Sequence, residues 1–224
     1  MPGAHRTARR IQAAALELFN RLGEPNVSTG QVAAALGISP GNLHYHHPSK
    51  EGLVNALYEQ YEAALAELLP AAAGVRDIED AWFFLHSLFE CIWAYRFLYR
   101  DLNLLISRNR RLENGMPHIL QRQTRAIEAL LHGLSAHGAL ARPPAATLPT
   151  QIVLVLSYWL SYEYARNPRH ALEPAGLQAA VLRGAAQTLG LLLPYLAAQP
   201  QAHLQALLRA YEIPEPDSNR STDE

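Results

Sequence analysis

The stretch VSTGQVAAALGISPGNLHYHHPSKEGL, residues 27–53, decides the architecture. Ser28 stands where a helix N-cap is needed, and Gln31 sits at the reciprocal position of a capping box. Val27 and Val32 have the spacing of a hydrophobic staple around that cap. Gly37 stops the helix after about two turns, as glycine does at a helix C-terminus. Ser39 then caps a second short helix with Pro40 at its first position, where the missing N–H costs nothing. Pro48 ends that helix, and Ser49 caps a longer one that runs to Leu69 before Pro70. Upstream, Ile11, Ala15, Leu18, Phe19 and Leu22 make one apolar face of a helix over Thr7–Leu22, closed by Gly23.

Two short helices joined at Gly37-Ile38 form a helix-turn-helix pattern. Ala33, one turn before the glycine, is small where the two helices must cross. Val32, Leu36, Ile38 and Leu43 supply apolar contacts on both arms. In this geometry the second helix, Pro40 to His47, enters the major groove of DNA. A helical hairpin with no DNA partner is the plainer alternative.

The segment resembles the TetR-like family of bacterial repressors over roughly residues 7–55. The matching residues are Ser28-Thr29, Val32-Ala33, Leu36-Gly37-Ile38-Ser39, Gly41-Asn42-Leu43, Tyr45-His46, Ser49-Lys50-Glu51 and Leu53. The resemblance implies that His44, Tyr45 and His46 face DNA, in the same short helix as Pro40 and Gly41. A hydroxyl or imidazole N–H donates to phosphate oxygens, while Ser39 and Asn42 are small polar candidates for base edges or backbone. Lys50 adds a cation beside amides suited to phosphate, and Thr29 serves the same purpose at the preceding helix start. Two residues depart from the family pattern. His44 stands where tyrosine is commoner, and His47 stands where a phenylalanine is usually buried against the first helix. A buried imidazole there needs a hydrogen-bond partner or a route to solvent.

Three histidines in four positions also raise the question of a metal. His44 and His47 share a helix face, but His46 points elsewhere, and no nearby cysteine or HExxH arrangement completes a ligand set. DNA-contact and structural roles are therefore expected, with no metal and no cofactor.

Net charge is −1 overall but unevenly placed. Residues 1–50 carry Arg6, Arg9, Arg10, Arg21 and Lys50 against Glu17 and Glu24, a balance of +3, leaving −4 for the remainder. A basic head on an acidic body points to a polyanion partner for the head. Apolar residues make up 49% and charged residues 17% of the 224, a globular rather than disordered composition. Cys91 is the single cysteine, which excludes an intrachain disulfide and fits a reducing compartment. No signal-peptide pattern or membrane-length apolar run is read, so a cytoplasmic location with no membrane partner is expected.

Beyond Pro70 the pattern stays helical. Asp77 caps a segment over about Ile78–Ile106 with apolar stripes on two sides, expected to break near Tyr95-Arg96. Eight of eighteen aromatics fall between Trp82 and Tyr99, which fits either an apolar cavity or a plain aromatic core. The resembled family holds a small-molecule inducer in this part of the chain. On that expectation the lining residues are Trp82, His86, Phe89, Trp93, Tyr158 and Tyr162. Arg108 to Arg111 reads as a solvated turn, and Gly115-Met116-Pro117 as the approach to a helix over His118–His137. The last long helices, about Thr150–Arg166 and Pro174–Ala198, are unusually apolar or rich in small residues such as Ala180, Gly184 and Ala185. Paired across a two-fold axis, they would form a homodimer interface, as the resemblance implies; burial within one chain is the alternative.

The expected fold is all-α: a three-helix DNA-binding head followed by a helical ligand-binding and dimerisation body. Its expected divisions are residues 1–52, 53–213 and an acidic disordered tail at 214–224. The function implied is a homodimeric repressor of a palindromic operator, released by an apolar or aromatic ligand. A ligand-free activator or architectural protein, and a helical enzyme with a vestigial head, remain as rivals. No GxSxG elbow, phosphate-cradling loop or zinc-protease motif supports an enzyme.

Overall fold

The structure, a computed structural model, describes residues 2–167 and 174–209. The expected tail at 214–224 lies outside the described residues. Among the described residues the chain is all-α, with eleven α-helices, three short 3-10 turns and a single isolated β-bridge between Leu140 and Leu196. No helix among them is long and apolar enough to cross a membrane.

The head comprises α1 (Pro2–Leu22), α2 (Thr29–Leu36) and α3 (Pro40–His46). Its punctuation follows the residues. Ser28 Oγ accepts from Gln31 N at 3.2 Å while Gln31 Oε1 accepts from Ser28 N at 2.8 Å, closing the capping box. Gly37 adopts φ 64°, ψ 30°, the left-handed conformation that glycine enters without Cβ strain. Its N–H and that of Ile38 then satisfy the last carbonyls of α2, Ala34 and Ala33. Leu43 anchors α3, completely buried with Ile11, Ala15, Val32 and Ala33. Burying such a leucine contributes roughly 1.5–3 kcal/mol.

Helix α4 (Lys50–Leu68) belongs to both halves of the molecule: it packs on α1 and also on α5 and α8. One continuous core therefore runs from Ile11 to Leu204. After a 3-10 turn (Leu69–Gly74), α5 (Ile78–Ala94) is capped by Asp77, whose carboxylate accepts from Asp80 N at 2.9 Å. The anticipated break falls at Tyr95-Arg96, followed by the short helices α6 (Phe97–Arg100) and α7 (Leu102–Arg108).

Helix α8 (Arg110–Ala136) begins eight residues before its predicted start. Asn109 Oδ1 caps it by accepting from Arg111 N and Leu112 N at 3.0 and 3.1 Å. Leu112 and Met116 continue the buried face, so packing outweighs the hydrogen bond lost at Pro117. Gly115 is a point of close approach rather than a break: a Cβ there would lie 2.2 Å from Tyr58 Oη.

Helices α9 (Leu148–Arg166) and α10 (Pro174–Gly190) close the body, followed by a 3-10 turn (Leu193–Tyr195) and α11 (Ala198–Arg209). Pro194 lies in that turn, so α10 stops short of its predicted end at Ala198. Within the chain, the small residues of α10 admit α5 and α9. A Cβ on Gly184 would lie 2.2 Å from Phe89 and 2.5 Å from Trp159. Glu163, nearly buried, pairs both carboxylate oxygens with Arg183 and pins α9 to α10.

Gly133 gives a sharp test of this packing, because a Cβ there would meet the Val75 carbonyl oxygen at 2.1 Å. Backbone cannot rotate away as a side chain can. Gly133→Ala is expected to lower unfolding free energy by about 1–3 kcal/mol in urea titration, despite alanine's better helix propensity.

Candidate nucleic-acid interface

The exposed face of α3 is built by its own ends. Ser39 Oγ accepts from Asn42 N at 3.2 Å, Pro40 opens the helix, and buried Leu43 fixes its rotation. Ser39, Pro40, Gly41, Asn42, His44 and Tyr45 then all face outward. Tyr45 is 80% exposed, an unusual position for an aromatic side chain without a partner surface. Its ring meets His46 edge-on at 5.2 Å. Thr29 and His46 are half-buried at the margins. At seven residues, α3 is about 10 Å long, a size that a major groove admits.

His47 is not part of that face. It is nearly buried, and its Nε2 lies 3.5 Å from Gln12 Nε2, so the neutral imidazole accepts from the amide. Gln60 Nε2 in turn donates to Gln12 Oε1 at 2.7 Å. This relay ties α4, α1 and the end of α3 together, and supplies the partner that burial of an imidazole demands. Burial lowers the His47 pKa, the neighbouring His46 lowers it further, and the Ala8 backbone opposes both. Among the described residues no group of three His, Cys, Asp or Glu side chains is arranged to hold a metal ion.

Lys50 has an intramolecular role that its sequence position did not disclose. Its Nζ lies 2.9 Å from Glu24 Oε1 and donates to the Glu24 carbonyl oxygen at 2.6 Å. Glu24 N also donates to Asp101 Oδ2 at 3.0 Å, so this turn joins head and body. A second joint lies beside it. Asn20, nearly buried, donates to the Ala94 carbonyl at 2.8 Å and accepts from Phe97 N at 3.0 Å. The end of α1 is thereby inserted into the break between α5 and α6, where Phe19 packs on Phe97 at 5.4 Å.

The six residues expected to line a ligand site do not share one wall. Phe89 is completely buried, against the Gly184 position of α10. Trp82 stacks on His86 at 5.7 Å, and His86 Nε2 lies 3.4 Å from Glu90 Oε1. Trp93 is half-buried beneath the Arg96 guanidinium, 4.7 Å from its ring centre. Tyr158 and Tyr162 lie on the outside of α9 at 43% and 55% exposure, in register with Leu154 at 57%. A helix places residues four apart on one face, so these three form a continuous apolar stripe.

The body also holds a polar group that sequence reading missed. Tyr61 and Tyr99 hydroxyls lie 2.5 Å apart, and Gln123 Nε2 donates to them at 3.3 and 3.2 Å. Burial drives both phenols upward, Tyr99 to about 12, so both stay protonated. Gln123 Oε1 is buried and, among the described residues, has no hydrogen-bond partner. The signal was present in the placement of Gln123 on an otherwise apolar inward face; which residues it meets depends on tertiary packing.

A family profile described as bacterial regulatory proteins, tetR family, matches residues 11–57, and the TetR bacterial transcriptional repressor profile matches residues 60–204. The chain belongs to the TetR family. It is 35% identical over 77 residues to the HTH-type transcriptional regulator UidR of Escherichia coli (strain K12). That match spans 34% of this chain and 39% of the relative. A TetR-family transcriptional regulator of Marinobacter aquaeolei VT8 superposes with a TM-score of 0.76 at 29% identity, covering 92% of this chain and 98% of that one. The fold is shared with a putative transcriptional regulator of Saccharomonospora viridis solved with choline, at a TM-score of 0.66, 18% identity and coverage of 86% and 99%.

The depressed pKa of His47 has a direct consequence for this TetR-family head. In the folded state the ring resists protonation, whereas the unfolded chain takes up a proton near pH 6.5. The contribution of this group is therefore complete above that pH and is lost as pH falls towards the folded value. His47→Phe is expected to flatten the fall of thermal midpoint between pH 7.5 and 5. Parallel curves for the two proteins would place the acid sensitivity elsewhere.

Proposed function

We propose that the protein is a homodimeric transcriptional repressor that binds a palindromic DNA operator through α3 and is released by a small ligand held in its body. The carrying observation is the outward face of α3, with its exposed Tyr45, small polar Asn42 and Ser39, on a rigidly capped helix. Asn42 is the side chain best suited to read a base, since a carboxamide makes paired hydrogen bonds to adenine. Tyr45, His44 and His46 donate to phosphates and fix register. Thr29, Pro40 and Gly41 complete the surface. The site of action is the cytoplasm, where the operator is.

Dimerisation through α9 and α10 is supported by the Leu154–Tyr158–Tyr162 stripe, which a second copy would cover. This gives Tyr158 and Tyr162 a role at the partner rather than at a ligand. The ligand reading is supported by the aromatic interior of the body, in which Gln123 and the Tyr61 and Tyr99 hydroxyls supply the polar groups. Trp82, His86 and Trp93 remain its aromatic candidates; Phe89 would act from behind as a fixed wall. Movement at the α5–α6 break would reach the head through Asn20. A coupling of roughly 1–3 kcal/mol would weaken operator binding about 5–150-fold.

Gel shift with the DNA flanking its own gene tests the whole reading. The Leu154→Glu, Tyr158→Glu double variant is expected to sediment as a monomer and to lose operator affinity on the order of 100-fold, the gain that two linked sites confer. A dimer of full affinity would move the interface elsewhere. Asn42→Ala is expected to change the preferred operator sequence in a binding-site selection; an unchanged preference with uniformly weaker binding would make it a backbone contact.

A further inference from the structure

The outward face of α3 carries no permanent charge. Residues 40–46 contain neither lysine nor arginine, and the only side chains there that become cations on mild acidification are His44 and His46. Contact with duplex phosphates nonetheless draws its sequence-independent strength from cations. Neighbouring elements do not make up the shortage at this face. Helix α2, which packs on α3, has no charged residue. Helix α1 meets the end of α3 through Ala8 and Gln12, with His5 and Arg9 turned about 60° and 100° away from Ala8. Helix α4 opens with Lys50, held by Glu24 at 2.9 Å, and with exposed Glu51. Among the described residues neither His44 nor His46 has an ion-pair partner.

Buried Leu43 fixes the rotation of the helix. At about 100° per residue, Gly41 and Tyr45 then point away from the core, and His44 and His46 fall on opposite flanks, about 160° apart. A helix lying in a major groove has a phosphate backbone along each flank. His44 is exposed on one flank and His46 half-buried on the other. His47, the third imidazole, is turned inward onto Gln12. Its burial favours the neutral ring, which keeps α3 seated as pH falls.

We propose that α3 is a proton-dependent DNA contact: protonated His44 and His46 supply its cations, each to the phosphate backbone on its own flank, so operator affinity rises as pH falls. The inference rests on the proposed entry of α3 into DNA. A phosphate beside an imidazole favours its charged form, so the complex takes up protons as it forms and weakens as pH rises.

Anisotropy titrations of the full-length protein with duplex from the DNA flanking its own gene, at pH 6.0, 7.0 and 8.0 and across 50–300 mM KCl, measure both consequences. A rise of one pKa unit on contact is about a tenfold gain for a ring that titrates fully, and each protomer presents two rings. Affinity should therefore rise at least about tenfold from pH 8.0 to pH 6.0. The slope of log affinity against log salt should steepen at pH 6.0 by about 0.9 for each imidazole that meets a phosphate. His44→Gln, His46→Gln together should flatten both responses. His44→Arg should raise affinity at pH 8.0 and reduce the pH dependence, because its charge no longer titrates. His47→Phe, which leaves the outer pair in place, should retain the dependence. A pH-independent affinity in the unaltered protein, a dependence that survives in the glutamine variant, or one abolished by His47→Phe would each overturn the proposal. Failure of the unaltered protein to bind the duplex even at pH 6.0 would instead defeat the DNA-binding reading itself.

Discussion

Helix α1 is held at its middle and near its C-terminal end by polar contacts that cross element boundaries. In the head, Gln12 links His47 of α3 to Gln60 of α4; towards the body, Asn20 bridges Ala94 and Phe97. Each such bond is worth only about 0.5–1.5 kcal/mol net, but leaving one buried partner unmade costs about 1–3 kcal/mol. The joint is therefore made or broken rather than stretched, which is the behaviour a two-state coupling requires. Because α1 also seats α3, the position of the outward face of α3 relative to the body depends on these few contacts. Phe19 against Phe97 and Lys50 against Glu24 thicken the same joint.

The head was legible because its information is local. Caps, a staple, a left-handed glycine and a proline at the first helical position each act within five residues, and the structure closes the capping box at Ser28 and Gln31. The break after α5 was legible for a similar reason: a helix apolar on two sides over that length must bend to be packed. By contrast, Gly115 and Pro117 imitate a stop that packing overrides, and only the position of Tyr58 reveals why glycine is there. Lys50 looked like a free cation because Glu24, its partner, is twenty-six residues away in sequence.

The body was legible as helical and aromatic, and not in its arrangement. Periodicity states that Phe89, Tyr158 and Tyr162 are apolar positions on helices; it does not state which side of a helix meets the core and which faces outward. Phe89 is interior and the two tyrosines are exterior. Likewise Ala180, Gly184 and Ala185 announced a close approach without naming the approaching element, which within the chain is α5 and α9. Gln123 is the reverse case, a polar residue whose inward position was readable and whose hydroxyl partners were not.

In the proposed complex two α3 helices, fixed by their bodies, meet one duplex in successive major grooves. Hydroxyl-radical footprinting on the DNA flanking the gene measures this directly. Two protected half-sites related by a dyad are expected, with centres about 34–36 Å apart along the helix axis. A single protected half-site, or protection spread without phase along the duplex, would contradict it.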